Sequence, residues 1–199
     1  ETIIERRYLD RTMDIDELTP TREDGCYWVQ CEGLDPDVAR CRHLRLFKCK
    51  SNYEGMRQSD LNHEELQKIA VDCEMTLGKW ILKTTEQQAD ALWRTLVLQI
   101  RQSSPWVASV KCSTRLLATE RNNLYTLCVY TTDGWRNRDL VMKLRRSLHD
   151  LEVDCACIQP LYWKPDLYTF LPLEGRTYLW IDGVDTDYWF DHWNTTTIN

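Results

Sequence analysis

Leu124 to Leu151, LYTLCVYTTDGWRNRDLVMKLRRSLHDL, constrains what this chain can fold into more than any other stretch. Tyr125, Leu127, Val129 and Thr131 alternate with Thr126, Cys128 and Tyr130, which is the period of a strand in a sheet. A polar turn follows, with Asn137 placed to cap a helix. Leu140, Val141, Leu144, Leu148 and Leu151 then fall on one helical stripe. A chain that changes period in this way buries a strand face and a helix stripe in the same core.

The segments upstream repeat that logic. Asn62 and Glu65 have capping-box spacing, and Leu66, Ile69, Ala70, Cys73 and Leu77 line one face of a helix that Gly78 is expected to stop. Gly78–Thr84 reads as a strand. Thr85 and Gln88 repeat the capping spacing, ahead of an apolar face of Ala89, Leu92, Trp93, Leu96 and Ile100 that Ser103-Ser104-Pro105 terminates. Trp106–Cys112 reads as a strand and 113–123 as a polar loop. Earlier, Cys26–Glu32 and Leu44–Lys50 read as strands, with a loop over 51–60. Later strands are expected at about 153–163, 166–172 and 177–182. The order β-β-α-β-α-β-β-α-β-β-β implies an α+β protein, with a largely antiparallel sheet over three helices on one face and the other face open to a ligand.

At 199 residues, 43% hydrophobic and 28% charged, the chain fits one domain with a sizeable core. Residues 1–24 have no sustained period and read as an arm ordered only in part, 25–183 as the domain, and 184–199 as an acidic, aromatic tail. No apolar run is long enough to span a bilayer, so no membrane partner is expected. Nine cysteines, an odd number without an apolar leader, favour reduced thiols in the cytoplasm, with the nucleus also open. Cys26, Cys31, Cys41, His43 and Cys49 lack the close pairing of a zinc knuckle, so neither metal nor cofactor is expected. A net charge of −6 excludes a general nucleic-acid coat. It leaves room for a local basic groove, because Arg40–Lys50 and Arg136–Arg146 are basic segments.

No nucleophile in a glycine-supported turn, carboxylate pair or phosphate loop stands in recognisable context, so the chain reads as non-catalytic. Trp80 and Trp93 read as core. Lys111, Arg115 and Arg121 flank one connection, either as a solvated hairpin or as a phosphate clamp, for which Trp163 or Tyr168 would be the stacking platform. Trp135 follows Asp133-Gly134 in a turn, covering a sheet edge or meeting a ligand. Lys164-Pro165-Asp166 is either a structural turn or part of the site.

Four pieces in register resemble the translation initiation factor 4E superfamily: Gly78-Lys79-Trp80-Ile81-Leu82, Leu92-Trp93-Arg94-Thr95-Leu96, Val107-Ala108-Ser109-Val110-Lys111, and Val129-Tyr130-Thr131-Thr132 leading into Arg138–Leu148. Over residues 61–180 the chain is more specifically similar to the uncharacterised basophilic leukaemia-expressed protein family. Lys164-Pro165-Asp166-Leu167-Tyr168-Thr169-Phe170-Leu171 is the sharpest match. The resemblance implies a 4E-like cupped sheet and binding of RNA or a nucleotide-like ligand in its concave face. In the cap readers of that superfamily, two tryptophans sandwich a cationic base. Here Lys111 matches a phosphate-binding position, Tyr130 stands in place of a strand tryptophan, and Asp72–Leu77 offers no aromatic before Gly78. The expectation is therefore a binding protein without the complete aromatic sandwich, using Lys111, Arg115, Arg121, Trp135, Trp163, Lys164 and Tyr168. The alternative is a scaffold that takes a protein partner on its helical face or its tail, where Asp185–Trp193 alternates acids with aromatics.

Overall fold

A computed structural model describes residues 4–9, 13–33, 63–102, 107–131, 133–134, 137–155, 161–167 and 179–180. The strands are β1 (Ile4–Leu9), β2 (Cys26–Glu32), β3 (Gly78–Thr84), β4 (Val107–Ser113), β5 (Tyr125–Thr131), β6 (Tyr162–Pro165) and the two-residue β7 (Leu179–Trp180). The helices are α1 (His63–Asp72), α2 (Glu86–Arg101), the short α3 (Arg115–Thr119) and α4 (Arg138–Cys155). The strands form one mixed sheet in the order β1-β2-β4-β5-β3-β6-β7. Among the described strands only the β1–β2 pair is parallel. The protein is α+β, as the alternation of periods implies. None of the described helices is long and apolar enough to cross a membrane.

Strand pleating sorts the side chains into two sets. Toward α2 and α4 point Val29 and Cys31, Val110 and Cys112, Leu127 and Val129, Trp80 and Leu82, and Trp163. They form one core with Leu92, Trp93, Leu96 and Ile100 of α2 and Val141, Leu144 and Leu148 of α4. Each large apolar side chain buried this way contributes about 1.5–3 kcal/mol. Two of the tryptophans place their N–H groups on backbone carbonyls within that core. Trp80 Nε1 donates to the Val141 carbonyl at 3.1 Å, and Trp93 Nε1 donates to the Leu18 carbonyl at 3.0 Å. Leu66, Ile69 and Ala70 of α1 and Cys73 just after it are buried as expected, yet they stand outside this cluster.

The described part of the N-terminal segment is tied to the sheet and to α2. β1 pairs with β2, and two 3-10 turns, Ile15–Glu17 and Pro20–Arg22, carry the chain back across α2. The first turn is closed by a capping box. Asp14 accepts from the Asp16 N–H at 3.1 Å, and Glu17 reaches back to the Asp14 N–H at 3.4 Å. From α2, Asp90 accepts from the Thr21 N–H at 3.1 Å, Arg101 donates to the Met13 carbonyl at 2.6 Å, and Arg94 pairs with Asp16. Short turns held by long-range polar bonds have no hydrophobic period, so a periodicity reading passes over them.

Other boundaries move as well. α1 ends at Asp72 rather than at Gly78. The Met75 N–H donates to the Ala70 carbonyl at 2.7 Å and the Glu74 N–H to the Val71 carbonyl at 3.0 Å, with Glu74 at φ +56°. That is a Schellman ending with glutamate in the left-handed position that glycine usually takes. Gly78 serves another purpose, since a Cβ there would lie 2.3 Å from Trp163 Cζ2. The polar loop over 113–123 contains α3. The strand expected from 153 is helix as far as Cys155, so Cys155 lies on α4 and not on a strand face. Asn137 does cap α4, accepting from the Leu140 N–H at 3.0 Å. Thr85 precedes α2 without a side-chain cap bond. The expected strand over 44–50, the loop over 51–60 and the tail over 184–199 lie outside the described residues.

Candidate lysine-lined sheet face

The second set of strand side chains builds the candidate site. Cross-strand register places them in three rows. Arg6, Trp28, Ser113, Thr126 and Lys83 form one row. Tyr8, Gln30, Lys111, Cys128 and Ile81 form the next, and Glu32, Ser109, Tyr130, Lys79 and Lys164 the third. The sequence expectation of an open face is corrected at the centre of this surface, where Gln30, Ser109, Cys128, Tyr130 and Lys79 are all buried. Lys111 and Lys164 remain partly exposed.

The cations on this face are held by aromatic rings and by one carboxylate. Lys111 Nζ sits 4.0 Å over the Trp28 ring, and Lys79 Nζ sits 5.1 Å over Tyr130. Lys79 also pairs with Asp166 at 3.1 Å, and the Asp166 N–H donates to the Leu77 carbonyl at 2.9 Å. The Lys-Pro-Asp segment therefore fastens β6 to β3, with Pro165 opposite Gly78. Burial pulls the Lys111 pKa down, and the charges of Lys79 and Arg6 pull it the same way. Burial and the Lys79 charge likewise depress Lys164. Such a cluster is short of negative charge, and an incoming anion relieves the repulsion within it.

The expected site residues divide. Lys111 and Lys164 share this face. Trp163 does not, because it points to the opposite side and is fully buried. Its ring lies against Gly78 and Gly134, where an added Cβ would come within 2.3 and 2.5 Å of Trp163 Cζ2. A ring held in this way is core and presents no face to a ligand, which corrects its role as a stacking platform. Arg115 is on α3 and pairs at 3.5 Å with Glu86 at the start of α2, with both side chains exposed. Arg121 is exposed in the turn after α3. Lys111, Arg115 and Arg121 therefore do not share one strand face, because Arg115 lies on α3 and Arg121 in the turn after it, whereas Lys111 lies on β4. Trp135 and Tyr168 lie outside the described residues.

The sequence profile of the family described as basophilic leukemia-expressed protein Bles03 matches residues 46–172, more than half of the chain. The chain belongs to the Bles03 family. The matched span includes β3 to β6 and so supplies Lys79, Lys111, Lys164 and Asp166, whereas Trp28 and Gln30 on β2 precede it. Among the described residues, no group of three or more His, Cys, Asp or Glu side chains is placed to hold a metal. Cys26, Cys31, Cys73, Cys112 and Cys128 are buried free thiols, and burial pushes the Cys112 thiol well up from its usual value. Buried apolar packing of this kind keeps thiols inert.

Local spacing does not mark Arg6, Trp28, Gln30, Lys79 or Ser109 as partners of Lys111. The polar-apolar alternation within CYWVQCE and GKWILKT was the available signal for which residues share a face. The strand order that joins them is not the order of the sequence.

Proposed function

We propose that this protein is a non-catalytic binding protein that holds the phosphate groups of RNA or of a nucleotide-like ligand on the lysine-lined face of its sheet. The observation that carries this reading is the concentration of positive charge. Arg6, Lys79, Lys83, Lys111 and Lys164 share the face, against Glu32 and Asp166 among the described residues, in a chain whose net charge is −6. Lysine ammonium groups bind phosphate as point charges, and partial burial strengthens each contact. Trp28 keeps the Lys111 amine over its ring and limits its excursions, which reduces the ordering cost of binding.

A 4E-like architecture belongs to the same proposal. A sheet with helices behind it and a charged face in front is the arrangement that the superfamily resemblance implies. Cap discrimination does not follow, because Asp72–Leu77 offers no aromatic to complete a sandwich. A cytoplasmic or nuclear site of action accompanies this reading and agrees with the buried free thiols. The test is binding of short capped and uncapped RNAs at two salt concentrations by the native protein and a Lys111→Met variant. The proposal expects affinity that falls with salt, a lower affinity and shallower salt slope in the variant, and indifference to cap methylation. Equal binding by both proteins overturns the assignment of the face.

A further inference from the structure

Gln30 and Ser109 stand on the lysine-lined face, Gln30 opposite Lys111 and Ser109 two residue pairs along, opposite Glu32. Each is only 1% exposed, and Gln30 Oε1 and Ser109 Oγ have no hydrogen-bond partner. The orientation of the Gln30 amide is fixed by chemistry. Its Nε2 donates to the Glu32 carboxylate, which cannot donate in return, so Oε1 must be the end that faces away. An acceptor shut away from water without a donor costs about 1–3 kcal/mol, and two such atoms on one face call for an explanation. They are not needed to hold the sheet together, because backbone pairing between β2 and β4 is continuous through both positions.

We propose that Gln30 and Ser109 form a donor-reading subsite beside the lysines, which recognises a hydroxyl or ring N–H adjacent to the phosphate of the ligand. This inference rests on the phosphate-binding reading and narrows it to nucleoside or sugar phosphates. Gln30 Oε1 is an acceptor only, so the group that satisfies it carries a hydrogen. Ser109 Oγ accepts from the ligand or donates to it. Lys111 on β4, directly across from Gln30, supplies the positive charge for the phosphate. In this reading a bare phosphate stays at the lysine ammonium groups, and the donor that reaches Gln30 belongs to the group attached to the phosphate. A phosphate attached to a ribose or nucleoside satisfies both.

Calorimetric titration with inorganic phosphate, ribose 5-phosphate and guanosine 5′-monophosphate tests this on the full chain, using Gln30→Met, Ser109→Ala and Lys111→Met. Gln30→Met and Ser109→Ala are each expected to weaken ribose 5-phosphate, guanosine 5′-monophosphate or both by about 10-fold, the worth of one hydrogen bond, and to leave inorganic phosphate within about 2-fold. Weakening of both ligands makes a ribose hydroxyl the donor, and weakening of the nucleotide alone makes it a ring N–H. Lys111→Met weakens all three. Ser109→Ala melts no lower than the native protein, since it removes a polar atom that the free protein leaves unsatisfied, whereas Gln30→Met also removes the Nε2 donor to Glu32. If they bind every ligand as the native protein does while Lys111→Met still weakens binding, a buried water fills the subsite and this inference fails alone. If the native protein binds none of the three, the phosphate reading and this inference fail together.

Discussion

The Lys79 ammonium and the Asp166 carboxylate meet at 3.1 Å, both buried, and tie β3 to the residue that follows β6. The same lysine lies over the Tyr130 ring, so one side chain joins β3 to β5 and to the residue after β6 on the lysine-lined side of the sheet. Removing one member of a buried pair strands the charge of the other. Asp166→Ala is expected to lower unfolding free energy by about 3–5 kcal/mol, measured by urea denaturation. Replacing both residues together, as Lys79→Met with Asp166→Leu, is expected to cost clearly less than the sum of the single changes.

Trp163 and Gly78 make a second fixed relationship, on the core side. A methyl group at position 78 would overlap the indole ring. Gly78→Ala is expected to destabilise by about 1–3 kcal/mol through overpacking. Combining it with Trp163→Phe, which withdraws the six-membered part of the indole, is expected to recover part of that loss in a double-mutant cycle. Independent, additive losses would show that the ring does not press on Gly78.

Glu74 occupies a left-handed position at the end of α1. Glu74→Gly is expected to stabilise the protein by about 1 kcal/mol, because glycine avoids the Cβ clash that this conformation imposes. A fall in thermal midpoint would contradict the Schellman ending.

These three sites show why some features were legible in the sequence and others were not. The periods of β3, β5, α2 and α4 placed Trp80, Trp93, Leu127 and Val141 in the core correctly, because burial of a face leaves its mark every second or every third to fourth residue. The helix ending at Glu74 was hidden because glycine at position 78 offered a better local stop signal. The N-terminal turns were hidden because their anchors, Asp90, Arg94 and Arg101, lie far along the chain. Lys111 and Lys164 could be chosen from the sequence as basic residues beside strands. Their separation from Trp163 could not, since it depends on which way one residue of β6 points.

The lysine face also has a pH signature. Burial lowers the Lys111 pKa from its ordinary 10.5. As pH rises from that lowered value toward 10.5, the unfolded chain holds more protons than the folded one, so this residue makes the protein more stable with rising pH. Below the window both states are charged, and the cost of burying the ammonium is constant. Phosphate binding needs the ammonium and weakens across the same window. Melting curves of the native protein and Lys111→Met should therefore differ in slope with pH in the alkaline range, the native protein gaining relative to the variant. Parallel profiles would mean that Lys111 titrates as it does in the unfolded chain.

The central claim is that phosphate is held on the face shared by Lys79, Lys111 and Lys164. Its most direct test is an amide chemical-shift titration of isotopically labelled protein with guanosine 5′-monophosphate. The account predicts shifts concentrated at Gln30, Lys79, Lys111 and Lys164, and their loss in Lys111→Met. Shifts concentrated on the outer surface of α2 and α4, or a native protein whose spectrum the nucleotide leaves unchanged, would contradict it.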